Sequence, residues 1–337
     1  MTSADLIGRS VSVDVPATTA NLGAGFDALA LALDLSIVIR VEAVDPRIEP
    51  PVLVSVDGEG AGHLPTDRRN RFVGALGEGL AAGGHDGLAA GARDRPAVGW
   101  RVRMQNRIPV SRGLGSSAAA TVAALVAADW FLDGQLGADR ILALAAASEG
   151  HADNAAAALH GGLCVVALTD RGPRVVRVEP PRDLLAVLFI PHRPLSTAAM
   201  RAALPASVPF ADAVHNVGAA ALAVAALSQG RTDLLAAATV DRLHEPYRAA
   251  AYPELPELVA AAREAGAMGA CLSGAGSTIV AFSDDRDAAA LVATAMAARA
   301  EALGLSGRSA VLAARRDGAR IIAADDVPPD ELPPALT

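Results

Sequence analysis

Residues 109–120 read P-V-S-R-G-L-G-S-S-A-A-A, from Pro109 to Ala120. The stretch describes a loop that opens a helix. Gly113 and Gly115 can take positive φ and let backbone approach a ligand closely. Ser116 and Ser117 suit the helix N-terminus as caps. The run from Ala118 to Ala128 strongly favours helix. First-turn N–H groups have no intrahelical partner, and with the helix dipole they form an anion site. A phosphate is the natural guest. A glycine turn ahead of a buried alanine helix accounts for the same residues, so the stretch taken alone leaves both readings open.

Two other phosphate motifs can be tested against it. A Walker A loop needs lysine after the glycines, and none follows. The whole chain contains no lysine, so all 29 basic residues are arginine. That excludes Schiff-base chemistry and a lysine phosphate clamp. A dinucleotide fingerprint needs the glycines directly after a strand. Here Asn106, Pro109 and Arg112 intervene after the nearest strand candidate, Val98 to Met104. The acidic residue expected about twenty positions on falls near Asp133, in a loop rather than at a strand end.

Composition bounds the rest. The 337 residues suffice for two domains with sizeable cores. Apolar residues make up 52% but aromatics only 3%, so the cores are built from many small contacts. The net charge of −8 argues against general nucleic-acid binding. Cys164 and Cys271 lie in apolar runs and read as buried free thiols of a reducing, cytoplasmic environment. No basic-then-apolar leader opens the chain. The longest apolar runs, such as Val217 to Leu227, are too short to span a bilayer, so no membrane partner is expected.

Along the chain, Val11, Val13 and Val15 alternate with polar residues as a first strand that Pro16 ends. A turn-rich loop, A-T-T-A-N-L-G-A-G-F-D, follows. A strand is expected through Leu29–Leu35 and Ile37–Val44. Asp67 can cap a helix to Ala82, and a glycine-rich loop covers Gly83–Gly91. Trp100, Val102 and Met104 mark a strand. Asp139 can cap a helix to Ser148. After E-G-H-A-D-N come a short helix and a hairpin, Cys164–Thr169 with Val175–Val178. Prolines and charges at Pro180–Arg182 set the expected domain boundary. Beyond it, strands near Leu185–Pro191, Cys271–Phe282, Ala310–Ala314 and Ile321–Ala323 alternate with helices near Thr197–Ala203, Asp212–Leu227, Thr232–Val240, Glu254–Ala265 and Arg286–Ala302. The tail from Val327 frays.

A second glycine-rich loop, C-L-S-G-A-G-S-T at 271–278, reads either as a bend or as backbone packed against a ligand or the first loop. Glu149 closes an apolar helix ahead of G-H-A-D-N. With Ser117 it could hold a Mg²⁺ ion on a nucleotide, because that ion wants one or two oxygen donors and keeps waters. Arg201 and Arg248 become interesting if a carboxylate substrate needs a fork of donors.

Taken together, V-P-A-T-T-A-N-L-G-A-G-F-D, P-V-S-R-G-L-G-S-S-A-A-A and L-S-G-A-G-S-T resemble the three motifs of the GHMP small-molecule kinases, in order and at suitable separations. A-T-T-A-N-L-G-A-G-F-D, E-G-H-A-D-N, S-T-A-A-M-R-A-A-L-P and L-H-E-P-Y-R resemble the homoserine kinase branch of that family. The resemblance runs from about Val11 to Phe282. It implies an α+β fold of two domains: an N-terminal domain of the ribosomal-protein-S5 domain 2 type (1–180) and a C-terminal ferredoxin-like domain (181–325), followed by a tail (326–337). ATP and substrate would share the cleft between them.

The same resemblance assigns residues. The ATP loop maps onto Pro109, Val110, Ser111, Arg112, Gly113, Leu114, Gly115, Ser116 and Ser117. Asn70 matches an asparagine near the nucleoside, and Gly274 and Gly276 support the loop. The Mg²⁺ ligands map onto Ser117 and Glu149. Substrate contacts map onto Asn21, Asp27, His151, Asn154, Arg201 and Arg248, and Thr197 stands near the transferring phosphate. Asp27 would meet the ammonium of L-homoserine, Arg201 and Arg248 its carboxylate, and Asn154 its hydroxyl. Sister kinases carry an aspartate near the Asn154 position. Asparagine cannot act as a base, so phosphoryl transfer is expected without a dedicated side-chain base, with Asp153 as the rival candidate. Arg112 stands where relatives carry small residues and either touches a phosphate or faces solvent. The implied role is ATP:homoserine phosphotransfer toward threonine, in a cytoplasmic homodimer. The alternatives are a GHMP kinase for another small alcohol, or a catalytically silent binding relative.

Overall fold

A computed structural model describes residues 3–85 and 97–323. The far end of the expected glycine-rich loop and the tail from Val327 lie outside the described residues. The first half of the chain runs α1 (Ser3–Leu6), β1 (Ser10–Ala20), β2 (Leu29–Val44), β3 (Val52–Gly58), α2 (Arg71–Ala82), β4 (Gly99–Asn106), α3 (Ser116–Phe131), α4 (Gly137–Glu149), α5 (Asp153–His160), β5 (Leu163–Thr169) and β6 (Gly172–Val178). The second half runs β7 (Leu185–Pro191), α6 (Thr197–Ala202), α7 (Phe210–Gln229), a 3₁₀ turn at Thr232–Leu234, α8 (Leu235–Ala238), α9 (Glu245–Arg248), α10 (Leu255–Glu264), β8 (Gly269–Leu272), β9 (Ile279–Ser283), α11 (Arg286–Ala302), β10 (Gly307–Ala313) and β11 (Arg320–Ile322).

Two sheets organise these elements. The first has seven strands, ordered β11-β1-β2-β4-β3, with β5 on β2 and β6 on β5. Only β3 and β4 pair in parallel. The second is antiparallel, ordered β10-β7-β9-β8. The chain returns to the first sheet at β11, where Arg315 and Arg320 both reach the Asp14 carboxylate of β1.

Pro16 does not end the first strand. The register between β1 and β2 shifts between Pro16 and Ala17, and the ladder continues to Ala20. A proline lacks the N–H a ladder needs and is tolerated where a bulge breaks the pairing. The consequence is functional: Thr18 and Thr19 are buried strand residues. Strand β3 went unpredicted, although V-L-V-S-V alternates. Its register to β4 pairs Val54 with Val102.

Helix α3 is apolar all round, and eleven of its sixteen residues are buried. It can be so enclosed because small residues let neighbours come close. Gly79 of α2 faces Ala128, where an added Cβ would lie 2.6 Å from the alanine methyl. On β7, Leu185, Val187 and Phe189 face one core with α10 and α11, while Ala186, Leu188 and Ile190 face the core shared with the first sheet. Side chains alternate sides along a strand, so β7 joins the two halves through its two faces.

Three expected caps are corrected. Helix α2 is capped by Asn70, whose Oδ1 accepts from the Phe72 N–H, while Asp67 pairs locally with Arg69. Helix α4 has no cap from Asp139; the Asp129 carboxylate accepts from the N–H groups of Leu136 and Gly137. Helix α3 is capped by neither serine, as described below. The run Val217–Leu227 also lies within a longer element than expected. Helix α7 has 20 residues and is long and apolar enough to cross a membrane by length and composition, the only such helix among the described residues.

Candidate active site

The nucleotide-type loop owes its shape to three left-handed backbones. Ser111, Gly113 and Gly115 have φ of 58°, 77° and 70°. Gly115 is the N-cap of α3, with no side-chain cap bond, so Ser116 and Ser117 occupy the first turn. The N–H groups of that turn therefore keep their anion-binding capacity. Gly113 is required for a second reason. A Cβ there would lie 2.1 Å from the Ser273 carbonyl oxygen.

The second glycine-rich loop joins β8 to β9 and packs against the first. Ser273 Oγ donates to the Gly113 carbonyl at 2.7 Å, and the Thr278 N–H donates to the Arg112 carbonyl at 3.1 Å. The Arg112 guanidinium is half-buried at the cavity wall. It donates to the carbonyls of Val110, Pro191 and His192, stitching the loop to the end of β7.

Every residue that the resemblance assigns to ATP, metal or substrate lines one cavity of about 510 Å³, Gly276 excepted. Gly276 lies behind the loop, beside Leu272 and Leu195. The cavity runs between the first sheet with its helices and the α6–α9 side of the second half. Asn70 lines it as a buried cap whose Nδ2 donates to the Pro65 carbonyl.

Beside the loop, Ser117 Oγ donates to Glu149 Oε1 at 2.9 Å. Thr121 donates to the same oxygen at 3.1 Å, and Arg71 lies 3.0 Å from it. Sequence reading missed both neighbours. Thr121 was accessible from spacing, since it follows Ser117 by four on one helix face. A hydroxyl and a carboxylate this close are hard oxygen donors. They fit a magnesium ion that takes its other ligands from phosphates and water.

At the other end the network is made of side chains. Asp27 has φ of 55° and meets Arg201 in a forked pair, with bonds of 3.0 and 2.8 Å. Asn21, with φ of 72°, ties this turn down: its Nδ2 donates to the Gly274 carbonyl and its Oδ1 accepts from the Asp27 N–H. Arg248 is buried. Its Nη1 donates to the Gly274 carbonyl and to His244 Nδ1, and its Nε to the Met200 carbonyl. Both N–H bonds of Nη1 are thus occupied, and Nη2 is the end left for the cavity. His244 Nε2 is 2.9 Å from the Gly23 carbonyl, which can only accept. The ring therefore carries its proton on Nε2 and offers Nδ1 to Arg248. Burial lowers the His244 pKa, in keeping with that neutral form. Both guanidiniums lie over the Phe26 ring, at 5.6 Å (Arg201) and 5.4 Å (Arg248).

Glu245, at the start of α9, is half-buried. Its carboxyl accepts from the Leu272 N–H, and burial pushes its pKa up to about 7. Between the two ends, Asp153 Oδ1 accepts from His151 Nδ1 at 2.8 Å and from the Asn154 N–H at 2.7 Å. The bond to Asp153 raises the His151 pKa against the opposing effect of burial. Thr197 begins α6 behind its cap Ser196, whose Oγ accepts from the Ala199 N–H.

Comparison with known proteins places this geometry. Residues 80–162 match the GHMP kinases N terminal domain, and residues 223–302 match the GHMP kinases C terminal family. The chain is 44% identical over 300 residues to a homoserine kinase of Leifsonia xyli subsp. xyli, covering 87% of this chain and 88% of that protein. It is 39% identical over 300 residues to one from Deinococcus radiodurans, covering 89% and 93%. The crystal structure of homoserine kinase from Cytophaga hutchinsonii superposes with a TM-score of 0.79 at 28% identity, covering 93% of this chain and 97% of that one. A mevalonate kinase of L. major, at 18% identity and a TM-score of 0.62, shares the fold. The two-sheet architecture, the paired glycine loops and these matches agree: the chain belongs to the homoserine kinases, a branch of the GHMP kinase family.

Proposed function

We propose that this enzyme transfers the γ-phosphoryl group of ATP to the side-chain hydroxyl of L-homoserine, giving O-phospho-L-homoserine for threonine synthesis. The observation that carries the reading is the pairing of opposite chemistries in one cavity. A loop of free N–H groups lies at one end, and Asp27, Arg201 and Arg248 lie at the other. An amino acid presents an ammonium and a carboxylate, and this charge set answers both. Mevalonate and sugars have no ammonium for Asp27.

In this mechanism the loop from Pro109 to Ser117 cradles the phosphates through its backbone. Ser117 and Glu149 would hold Mg²⁺, which neutralises charge on the transferring group. Arg201 and the Nη2 end of Arg248 take the carboxylate, and Asp27 takes the ammonium. The Asp27–Arg201 pair opens to admit the zwitterion, whose ammonium replaces Arg201 at Asp27 and whose carboxylate replaces Asp27 at Arg201. His151 and Asn154 meet the hydroxyl end, and Thr197 stands by the phosphoryl group. Asn154 positions the hydroxyl without removing its proton, which leaves late to phosphate or water. Asp153, already accepting from His151 and Asn154, is a positioning residue. Asn154→Asp tests this: a large rate gain with a new acidic limb in the pH profile would show that a base had been missing.

The boundary between domains is proposed near residue 180, with the last strand returning to the first. We further propose a cytoplasmic homodimer that binds neither nucleic acid nor membrane. Helix α7 supports both points. Phe210, Val214 and Val217 are 84%, 55% and 72% exposed on one face, an apolar surface suited to a second copy. On its other side Asn216 and His215 bond to Asp241 and to the Val240 carbonyl, as a packed surface helix does.

The deciding experiment is ADP release with and without Mg²⁺, across homoserine, mevalonate, galactose and no acceptor. Release with homoserine alone is expected. Equal release without an acceptor, or none with homoserine, overturns the reading.

A further inference from the structure

Thr18 lies near the end of β1 and is wholly buried. Its backbone N–H donates to the Leu114 carbonyl of the nucleotide loop at 3.1 Å. Its hydroxyl donates to Asn154 Oδ1 at 2.7 Å. Gly115 closes over this contact: a Cβ there would lie 2.0 Å from Thr18 Oγ1 and 3.1 Å from Asn154 Oδ1. One threonine therefore touches the phosphate-binding loop on one side and Asn154 on the other.

The contact decides which end of the Asn154 amide is available. An amide group can be turned over in its plane, and its neighbours set the choice. Here Nδ2 lies 3.4 Å from Asp153 Oδ1, while Oδ1 accepts from Thr18. Turned over, the amide would set its oxygen against a carboxylate. It would also present N–H groups to a buried hydroxyl that then loses its acceptor. Both changes are costly in a buried site. Thr18 is β-branched, so its hydroxyl is held in one of few rotamers.

We propose that Thr18 is a positioning residue for phosphoryl transfer: by donating to Asn154 Oδ1 it holds the amide with an N–H toward the cavity, where it donates to the substrate hydroxyl oxygen. An oxygen that accepts from Asn154 keeps its own proton pointed elsewhere, toward the phosphate. The inference rests on the reading that Asn154 meets the substrate hydroxyl.

The test is a double-mutant cycle with Thr18→Val, which keeps the shape and removes the hydroxyl, and Asn154→Ala, read as kcat and as KM for homoserine and for ATP. Thr18→Val is expected to lower kcat about tenfold, the scale of a mis-set reacting group, with the ATP KM within about twofold. Thr18→Ser restores kcat to within about threefold. Thr18→Val costs nothing more in the Asn154→Ala background. If Thr18→Val fails to fold by circular dichroism, Thr18→Ala, which adds no bulk, takes its place in the cycle. Full kcat in the hydroxyl-free variant, or losses that multiply with Asn154→Ala, overturns the role of Thr18 while leaving that of Asn154 standing. Full kcat in Asn154→Ala overturns the underlying reading, and the proposal with it.

Discussion

The two ends of the cavity are built from different materials. The phosphate end is backbone: left-handed glycines, a helix start without a side-chain cap, and carbonyls tied to Ser273 and Arg112. The amino-acid end is side chain: a forked Asp27–Arg201 pair and a buried Arg248 oriented by His244. The difference follows from the guests proposed for each end. A triphosphate offers many equivalent oxygens, which a row of N–H groups can meet without discrimination. An amino acid carries two opposite charges at a set separation, and only placed side chains can tell them apart.

The comparison can be broken at several points. At the Ser117–Glu149 pair proposed to hold the metal, Glu149→Gln should lower kcat by roughly 10²–10³-fold, the scale of losing a metal's charge stabilisation. The magnesium concentration for half-maximal rate should rise as well. An unchanged magnesium titration would remove Glu149 from that site. Gly113→Ala should cut kcat/KM for ATP by about 10²-fold, because a displaced loop misplaces the phosphoryl group. Homoserine binding, followed by calorimetry, should change little. ATP affinity within threefold of the parent would show that the loop does not act through its backbone fit.

At the side-chain end, Arg201→Met should raise the homoserine KM by roughly 10- to 50-fold and leave that for ATP alone. The pair is about one-third exposed, which keeps the effect below that of a sealed ion pair. A matching rise in both KM values would mean the two ends are not separable. The smallest effect concerns pH. Burial raises the Glu245 pKa from 4.5 to about 7. The folded state then holds a proton the unfolded chain has released, so stability falls as pH rises from 4.5 to 7 and levels off above it. The full span corresponds to about 3 kcal/mol at most. Glu245→Gln can still accept from the Leu272 N–H and should flatten that slope in thermal melts between pH 5 and 8. A slope equal to the parent's would assign the pH dependence elsewhere.

The phosphate end was the more legible from sequence. Its chemistry depends on local needs: glycine where φ is positive, small residues where a helix starts, and spacing along one segment. The amino-acid end was legible as a set of residue types, not as an arrangement. Asp27 and Arg201 are 174 positions apart, and nothing in either neighbourhood tells that they bond to each other. Arg112 shows the limit in the other direction. In a chain without lysine, an arginine in a phosphate loop invites a phosphate contact, and nothing in its neighbourhood tells that it also donates to the carbonyls of Val110, Pro191 and His192. Asn70, which lines the cavity, is likewise also the cap of α2. The strand that Pro16 was expected to end is what delivers Thr18 to Asn154, 136 positions away.

The sequence by itself determined the parts: an anion-binding loop opening an alanine helix, the three motifs that mark the family, and arginine as the sole strong cation for a substrate carboxylate. Those follow from φ preferences, helix propensity and side-chain chemistry, which act within a few residues. Tertiary structure decided which donors and acceptors remain available. Packing satisfies buried polar groups with whatever lies across the cleft, and so decides what is left for the cavity: the first-turn N–H groups of α3 have no side-chain cap, and two N–H bonds of Arg248 are already taken by Gly274 and His244.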